Sequence, residues 1–294
     1  MKKLMPGFYT ALGTPVDKAG NLIEDSLRAH IEDQIKCGAS GLLLMGSMGM
    51  EPCVRDSAYR DAACIASETV KGRIPLFIGV MDCSAWRVKD RIKSISGLNI
   101  TGVVLTPPFY FGGTNEQLIN FFTDVADYSE YPVFLYDLPG ATKIKITYDM
   151  VDVLAKHKNV KGIKTADSVL IRKLMHTYPE FETLYSNLDA FDLTIPYGIN
   201  KVLDGMFCCT PKNGKAFVDA CASGDYKSAA ESLNRIIHLR DTFAKHSIFP
   251  SFTAAMNALG FDGEFGPDFC GNVSEAAAME IVNELKMINE LSGD

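Results

Sequence analysis

Apolar runs of strand length recur through most of the chain. They span Phe8 to Thr14, Gly41 to Gly46, Pro75 to Val80, Gly102 to Thr106, Val133 to Leu138, Val160 to Thr165, Phe181 to Ser186 and Gly205 to Cys209. Between them lie stretches whose apolar residues repeat with helical spacing: 24–37, 52–70, 85–96, 115–128, 147–157, 168–178, 189–199 and 213–222. Gly38 follows the first of these as a plausible C-terminal glycine cap. Strands that are apolar on both faces and alternate with helices predict a parallel sheet covered on both sides. About eight such units in one chain predict a closed (β/α)8 TIM barrel. The first strand leads into Thr14-Pro15-Val16-Asp17, without the glycine fingerprint of a dinucleotide fold. After the last unit, 225–246, 251–259 and 274–291 read as three further helices. The expected organisation is therefore a barrel over residues 1–224 and a C-terminal helical extension over 225–294.

The stretch with the most chemistry is Val160-Lys161-Gly162-Ile163-Lys164-Thr165-Ala166, a short strand with a lysine near its end. Strand side chains alternate faces, so Ile163 packing outward under a helix sends Lys164 inward. An amine held there loses hydration and its pKa falls, the condition for attack on a ketone to form a Schiff base. The competing reading is a strand-end lysine whose head reaches water.

A barrel carries its chemistry at the C-terminal ends of its strands. Gly46-Ser47-Met48-Gly49 follows the second strand and can turn backbone N–H groups towards a carboxylate as a nest, or form an ordinary turn. Tyr110 lies in Thr106-Pro107-Pro108-Phe109-Tyr110-Phe111 after the fourth strand, as a site residue, loop packing or a subunit contact. Tyr136, before Asp137-Leu138-Pro139, needs a hydrogen-bond partner if it is buried. Substrate or core would serve equally. An inward lysine, two tyrosines and a hydroxyl beside a nest supply the amine, proton shuttle and anion site of a class I aldolase.

With these residues in place, the chain resembles the N-acetylneuraminate lyase and dihydrodipicolinate synthase superfamily of Schiff-base-forming pyruvate lyases. The likeness runs from Tyr9-Thr10-Ala11 to Pro250-Ser251-Phe252 and is most specific at Gly46-Ser47-Met48-Gly49, Pro108-Phe109-Tyr110, Leu135-Tyr136-Asp137-Leu138-Pro139 and Gly162-Ile163-Lys164. The resemblance implies a TIM barrel with a C-terminal helical domain, assembled as a homotetramer (a dimer of dimers). It implies Lys164 as the Schiff-base lysine, Tyr136 as the proton-shuttling phenol and Ser47 as the hydroxyl that relays to it. Ser47 and Met48 match the backbone donors for the substrate carboxylate, with Gly46 beside them. Tyr110 matches an aromatic that in many members enters a neighbouring subunit's site.

The chain departs from the synthase pattern at the end that reads the second substrate. Ala141 stands where synthases carry an arginine, and an alanine gives no bidentate carboxylate contact; Lys143 lies two residues further on. Asp137 replaces an asparagine, Met48 a threonine, Met50 a glutamate (with Glu51 one place later), and Asn187-Leu188 a Gly-Asp pair. Thr165, Asp167, Ser168, Asn187 and Asn213 are candidates for substrate hydroxyls, although Asp167-Ser168 also reads as a helix N-cap. The reading that follows is a carbon–carbon lyase cleaving a 2-keto-3-deoxy sugar acid or related 2-oxo acid. The alternatives are a synthase condensing pyruvate with aspartate semialdehyde, a dehydratase using the same imine, and a non-catalytic oxo-acid-binding barrel.

Composition narrows the rest. A hydrophobic fraction of 47% with 22% charged residues is ordinary for a globular protein, and a formal net charge of −7 gives no nucleic-acid footprint. The eight cysteines form no Cys-x-x-Cys pair. No clustered His/Asp/Glu spacing points to a metal, and no organic cofactor is expected. No apolar run is long enough to cross a bilayer, and the start lacks signal-peptide character. The expected setting is the cytoplasm, and the expected partner a small 2-oxo acid.

Overall fold

The computed structural model describes residues 3–292. The barrel alternates β1 (Gly7–Ala11), α1 (Glu24–Lys36), β2 (Gly41–Leu44), α2 (Asp56–Val70), β3 (Leu76–Gly79), α3 (Ala85–Ser94), β4 (Gly102–Leu105) and α4 (Asn115–Tyr128). It continues with β5 (Val133–Tyr136), α5 (Pro139–Thr142), α6 (Tyr148–Leu154), β6 (Val160–Thr165), α7 (Ser168–Thr177), β7 (Glu182–Tyr185), α8 (Phe191–Thr194), β8 (Lys201–Asp204) and α9 (Pro211–Ser223). The eight strands pair in order, all parallel, and β8 closes on β1. Three helices follow: α10 (Tyr226–Lys245), α11 (Ile248–Ala258) and α12 (Glu275–Met287). The last two residues of the predicted extension lie outside the described residues.

Alternation along the short strands sorts the core into two clusters. Leu42 and Leu44 pack outward beneath the helices, while Leu43 joins Tyr9, Phe77, Val104, Phe134, Leu184 and Leu203 in the lumen. Most strands are therefore apolar on both faces, which explains the continuous runs in the sequence. Gly162 is required by this packing. A Cβ there would lie 2.5 Å from both the Phe134 ring and the Glu182 carbonyl. Local signals set the helix ends: Thr114 and Gln117 form a capping box on α4, and Thr147, Asp167, Asp225 and Ser274 cap α6, α7, α10 and α12. Gly224, left-handed, ends α9.

Three predicted elements fall elsewhere. The eighth strand is Lys201–Asp204, not Gly205–Cys209, which forms a turn of 3-10 helix at Met206–Cys208. That run is apolar because Phe207 wedges against Phe8, ring centroids 5.1 Å apart, and Cys208 packs on the β1 end. The helix expected over 52–70 starts at Asp56, after a 3-10 turn at Glu51–Cys53. The helix expected over 189–199 breaks into α8 between 3-10 turns at Leu188–Ala190 and Ile195–Tyr197, the second carrying Pro196 and ending in left-handed Gly198. Among the described residues no helix is long and apolar enough to cross a membrane.

Candidate active site

Ile163 packs in the outer cluster, so the next residue, Lys164, faces the lumen near its C-terminal mouth. Lys164 is 4% exposed, and its Nζ lies 3.7 Å from the centroid of the Tyr136 ring. The two residues are register partners on adjacent strands, which makes this contact a product of strand pairing. The Tyr136 hydroxyl lies 2.8 Å from Ser47 Oγ, meeting a buried phenol's need for a partner with the hydroxyl of the β2 loop.

That loop is tightly specified. Met45 and Met50 both adopt left-handed backbone, with φ of 54° and 55°, an uncommon conformation for a bulky residue that only surrounding contacts sustain. Gly79 lets the loop pass, since a Cβ there would overlap the Met45 carbonyl at 1.7 Å. Thr14 Oγ1 donates to the Gly49 carbonyl at 2.8 Å, and the Glu51 amide donates to the Gly46 carbonyl at 3.3 Å. The Ser47 and Met48 amides have no acceptor among the described residues, as an anion-binding nest requires. The Met48 side chain crosses the mouth to β8, where a Cβ on Gly205 would meet it at 2.6 Å.

The structure thus brings Lys164, Tyr136, Ser47 and Met48 together, and leaves the other candidates in different places. Thr165 alternates away from the lumen; its hydroxyl donates to Asp137 Oδ2 at 2.7 Å and accepts from the Asp167 amide at 3.0 Å. It has no free group for a substrate. Asn187 and Ser168 lie beside the hydroxyl of Tyr185, which packs in the outer cluster. Asn213 is buried against the C-terminal segment, donating to Ile288 O at 2.8 Å and Glu290 Oε1 at 2.7 Å. Asp167 caps α7, accepting from the Leu170 amide at 2.8 Å. Tyr110 is 78% exposed, edge-on to Phe111.

The candidate arginine substitute fails locally. Lys143 occupies the left-handed cap of α5, and its Nζ donates to the Gly140 carbonyl at 2.6 Å. The other lysine of this segment, Lys145, is committed outside the lumen, where it contacts both Asp137 and Asp167. Two further residues stand at the rim, Thr106 within a stretch the sequence singled out for Tyr110 and Asp204 outside every such stretch. Thr106 follows Leu105 on the side of lumen-facing Val104, and its buried hydroxyl has no partner among the described residues. Asp204 ends β8; burial raises its carboxyl above the usual range, the Met206 amide at 2.8 Å and the charge of Lys164 opposing. Asp204 was missed because the apolar pattern predicts the eighth strand at Gly205–Cys209, and a strand-end threonine such as Thr106 is commonplace. A separate groove of about 560 Å³, lined by residues including Val16, Arg55, Glu264 and Asp268, includes none of Lys164, Tyr136 and Ser47.

An amine lying on a phenol, with a hydroxyl relay at the mouth of a parallel barrel, defines an enzyme of the class I, amine-nucleophile type. The model of the dihydrodipicolinate synthetase family matches residues 4–285. The chain belongs to that family, whose members are class I lyases and synthases that work on carbon–carbon bonds through a Schiff base. It is 29% identical over 268 residues to a 4-hydroxy-tetrahydrodipicolinate synthase of Exiguobacterium sp., covering 88% of this chain and 89% of that protein. It is 28% identical over 267 residues to the synthase of Acidiphilium cryptum, covering 88% and 90%. Among solved structures, YagE from E. coli K12 in complex with pyruvate superposes with a TM-score of 0.89 at 22% identity, covering 98% and 99%. CdNal from Clostridium difficile in complex with mannosamine gives 0.86 at 19%, covering 97% and 98%. At these identities the two structures show the shared fold alone.

Proposed function

We propose that the protein cleaves, reversibly, a 2-keto-3-deoxy sugar acid or a related 2-oxo acid through an imine on Lys164. In this reading the Lys164 amine adds to the C2 ketone, and loss of water from the carbinolamine gives the imine. Tyr136 takes the proton of the C4 hydroxyl as the C3–C4 bond breaks. The aldehyde leaves, the enamine is protonated at C3, and hydrolysis releases pyruvate. Ser47 relays the proton through its contact with Tyr136, and the Ser47 and Met48 amides hold the carboxylate. Exposed Tyr110 serves the site of a neighbouring copy in a homotetramer.

The contact between Lys164 and Tyr136, 3.7 Å from amine to ring centroid, carries the imine chemistry. The sugar-acid end is supported by the distal wall. Ala141 offers no cation, and Lys143 is bound to its own helix. A wall without a free cation at these positions suits an uncharged polyol better than a second carboxylate. The relatives named 4-hydroxy-tetrahydrodipicolinate synthase favour a second reading, condensation of pyruvate with aspartate semialdehyde.

One assay decides between them. Pyruvate is incubated with aspartate semialdehyde and, separately, with a panel of sugar aldehydes, and product formation is followed. The expected result is condensation with a sugar aldehyde; efficient turnover of the semialdehyde alone would overturn the assignment. In the same assay Tyr136→Phe should form the imine yet turn over about 10²–10⁴-fold more slowly, the range for loss of a positioned acid–base group. Unimpaired turnover would take Tyr136 out of the mechanism.

A further inference from the structure

Asp137 is buried, its side chain 2% exposed, directly after Tyr136. Its backbone amide donates to the Lys164 carbonyl at 2.9 Å, continuing the pairing of β5 with β6 beyond the two site residues. Its carboxylate then makes three bonds. Oδ2 accepts from Thr165 Oγ1 at 2.7 Å, Oδ1 accepts from the Ile146 amide at 3.0 Å, and Lys145 Nζ donates to Oδ2. Lys145 continues to Asp167 Oδ2 at 3.0 Å, and the Asp167 amide returns to Thr165 Oγ1 at 3.0 Å. The circuit joins the ends of β5 and β6, the segment after α5 and the first turn of α7.

A buried carboxylate needs a counter-charge, and here an aspartate at 137 and a lysine at 145 supply one another. The circuit lies on the outer side of the same two strands whose inner sides carry Tyr136 and Lys164. Partial burial pulls the Lys145 ammonium down, yet its two carboxylates hold it above the ordinary lysine value.

We propose that Asp137 is a positioning residue, whose carboxylate, clamped by Thr165 and Lys145, sets the approach of the Tyr136 phenol to the Lys164 amine. The inference rests on the imine reading of Lys164. It requires that loosening the clamp slow proton transfer without weakening pyruvate binding, because the nest that holds the carboxylate is on a different loop. It also requires that the two charges act as a pair.

The test uses the full chain with Asp137→Asn, Lys145→Met and the double variant. Exchange of the pyruvate methyl protons in D2O, followed by NMR, reports enamine formation without needing the aldehyde. Borohydride trapping with pyruvate reports the imine. Lys145→Met, which strands a buried charge, should slow exchange about 10-fold, within the range for small misplacements of reacting groups, with KM for pyruvate changed less than about 2-fold. The double variant, which leaves no clamp, should stay about 10-fold below the parent and be little slower than Lys145→Met, the non-additivity expected of residues in contact. Single variants that exchange at the parental rate, however unstable, would overturn the positioning role, as would a double variant restored to the parental rate. If the unaltered protein neither traps nor exchanges pyruvate, the imine reading falls first, and that outcome is distinct from failure of the clamp alone.

Discussion

The two ends of the barrel lumen contain the same kinds of residue in opposite conditions. At the N-terminal end, Lys201 pairs with Glu182 at 2.5 Å, and the Leu4 amide donates to the other oxygen of Glu182 at 2.9 Å. Tyr9 donates to the Met5 carbonyl at 2.6 Å, and burial, then the Glu182 charge, lifts its hydroxyl far above the ordinary phenol value despite that bond. Every group there has a fixed partner. At the C-terminal end, Lys164 has no carboxylate within ion-pair distance among the described residues and lies instead on the face of Tyr136. The Tyr136 hydroxyl meets another hydroxyl, which can give or take a proton. A lysine inside a barrel is therefore not reactive by position alone; what matters is the partner withheld from it.

The sharpest way to break the comparison is to ask which lysine pyruvate finds. Borohydride trapping with pyruvate, read by peptide mass, should place the adduct on Lys164 alone, and Lys164→Ala should abolish both adduct and turnover. An adduct on Lys201, or full trapping in Lys164→Ala, would erase the distinction between the two ends.

The next largest effect is on stability. Lys201→Met leaves Glu182 buried with one backbone donor and no counter-charge, and breaking such a pair costs about 3–5 kcal/mol. Denaturant unfolding should show that loss, while the rate of adduct formation on Lys164 stays near the parental value. Equal loss of adduct formation and stability would mean that the bottom plug also governs the chemistry.

The reactive end of this contrast was legible in the sequence, for a physical reason. The plug was not, because the apolar pattern predicts the eighth strand at Gly205–Cys209 and it lies at Lys201–Asp204. The inward face of Lys164 follows from period-2 alternation beside Ile163, and Tyr136 and Ser47 follow from strand ends that a barrel must bring to one rim. The misreadings have equally physical causes. Thr165 is one residue past the lysine, so alternation turns it outward, and its partner Asp137 is found only through cross-strand pairing. Asn213 is a polar residue spent on structure, which composition cannot separate from residues that contact substrate. The run after Gly205 is as apolar as a strand because it packs under helices, and hydrophobicity alone does not distinguish the two burials.

A third buried charge sharpens the comparison through pH. Glu51 is fully buried behind the β2 loop with Arg91 Nε at 2.9 Å, but without the backbone donor that Glu182 enjoys. Burial pushes its carboxyl up to about 8, against the pull of Arg91. A carboxyl raised on folding contributes stability that is complete below its unfolded value, near the ordinary glutamate range, and is lost as the pH rises towards 8. Glu51→Gln keeps the shape without the titration. Its stability relative to the parent should rise by a few kcal/mol between about pH 4.5 and 8 and level off above. A difference that stays flat with pH would show that Arg91 satisfies Glu51 as fully as Lys201 satisfies Glu182.

The smallest effect concerns Lys143, which lies near the reactive end yet is held in the manner of Lys201. Its side chain closes on the Gly140 carbonyl and its backbone is left-handed, φ 60°. A left-handed L-residue costs roughly 1–2 kcal/mol, and glycine relieves that cost while adding up to about 1 kcal/mol of unfolded-chain entropy. Lys143→Gly should therefore gain no more than about 1 kcal/mol in unfolding experiments. Turnover and KM should stay unchanged, because a cation bound to its own helix cap contributes nothing to the substrate's distal end. A several-fold rise in KM, confined to substrates with a second carboxylate, would instead make Lys143 the missing cation and return weight to the semialdehyde reading.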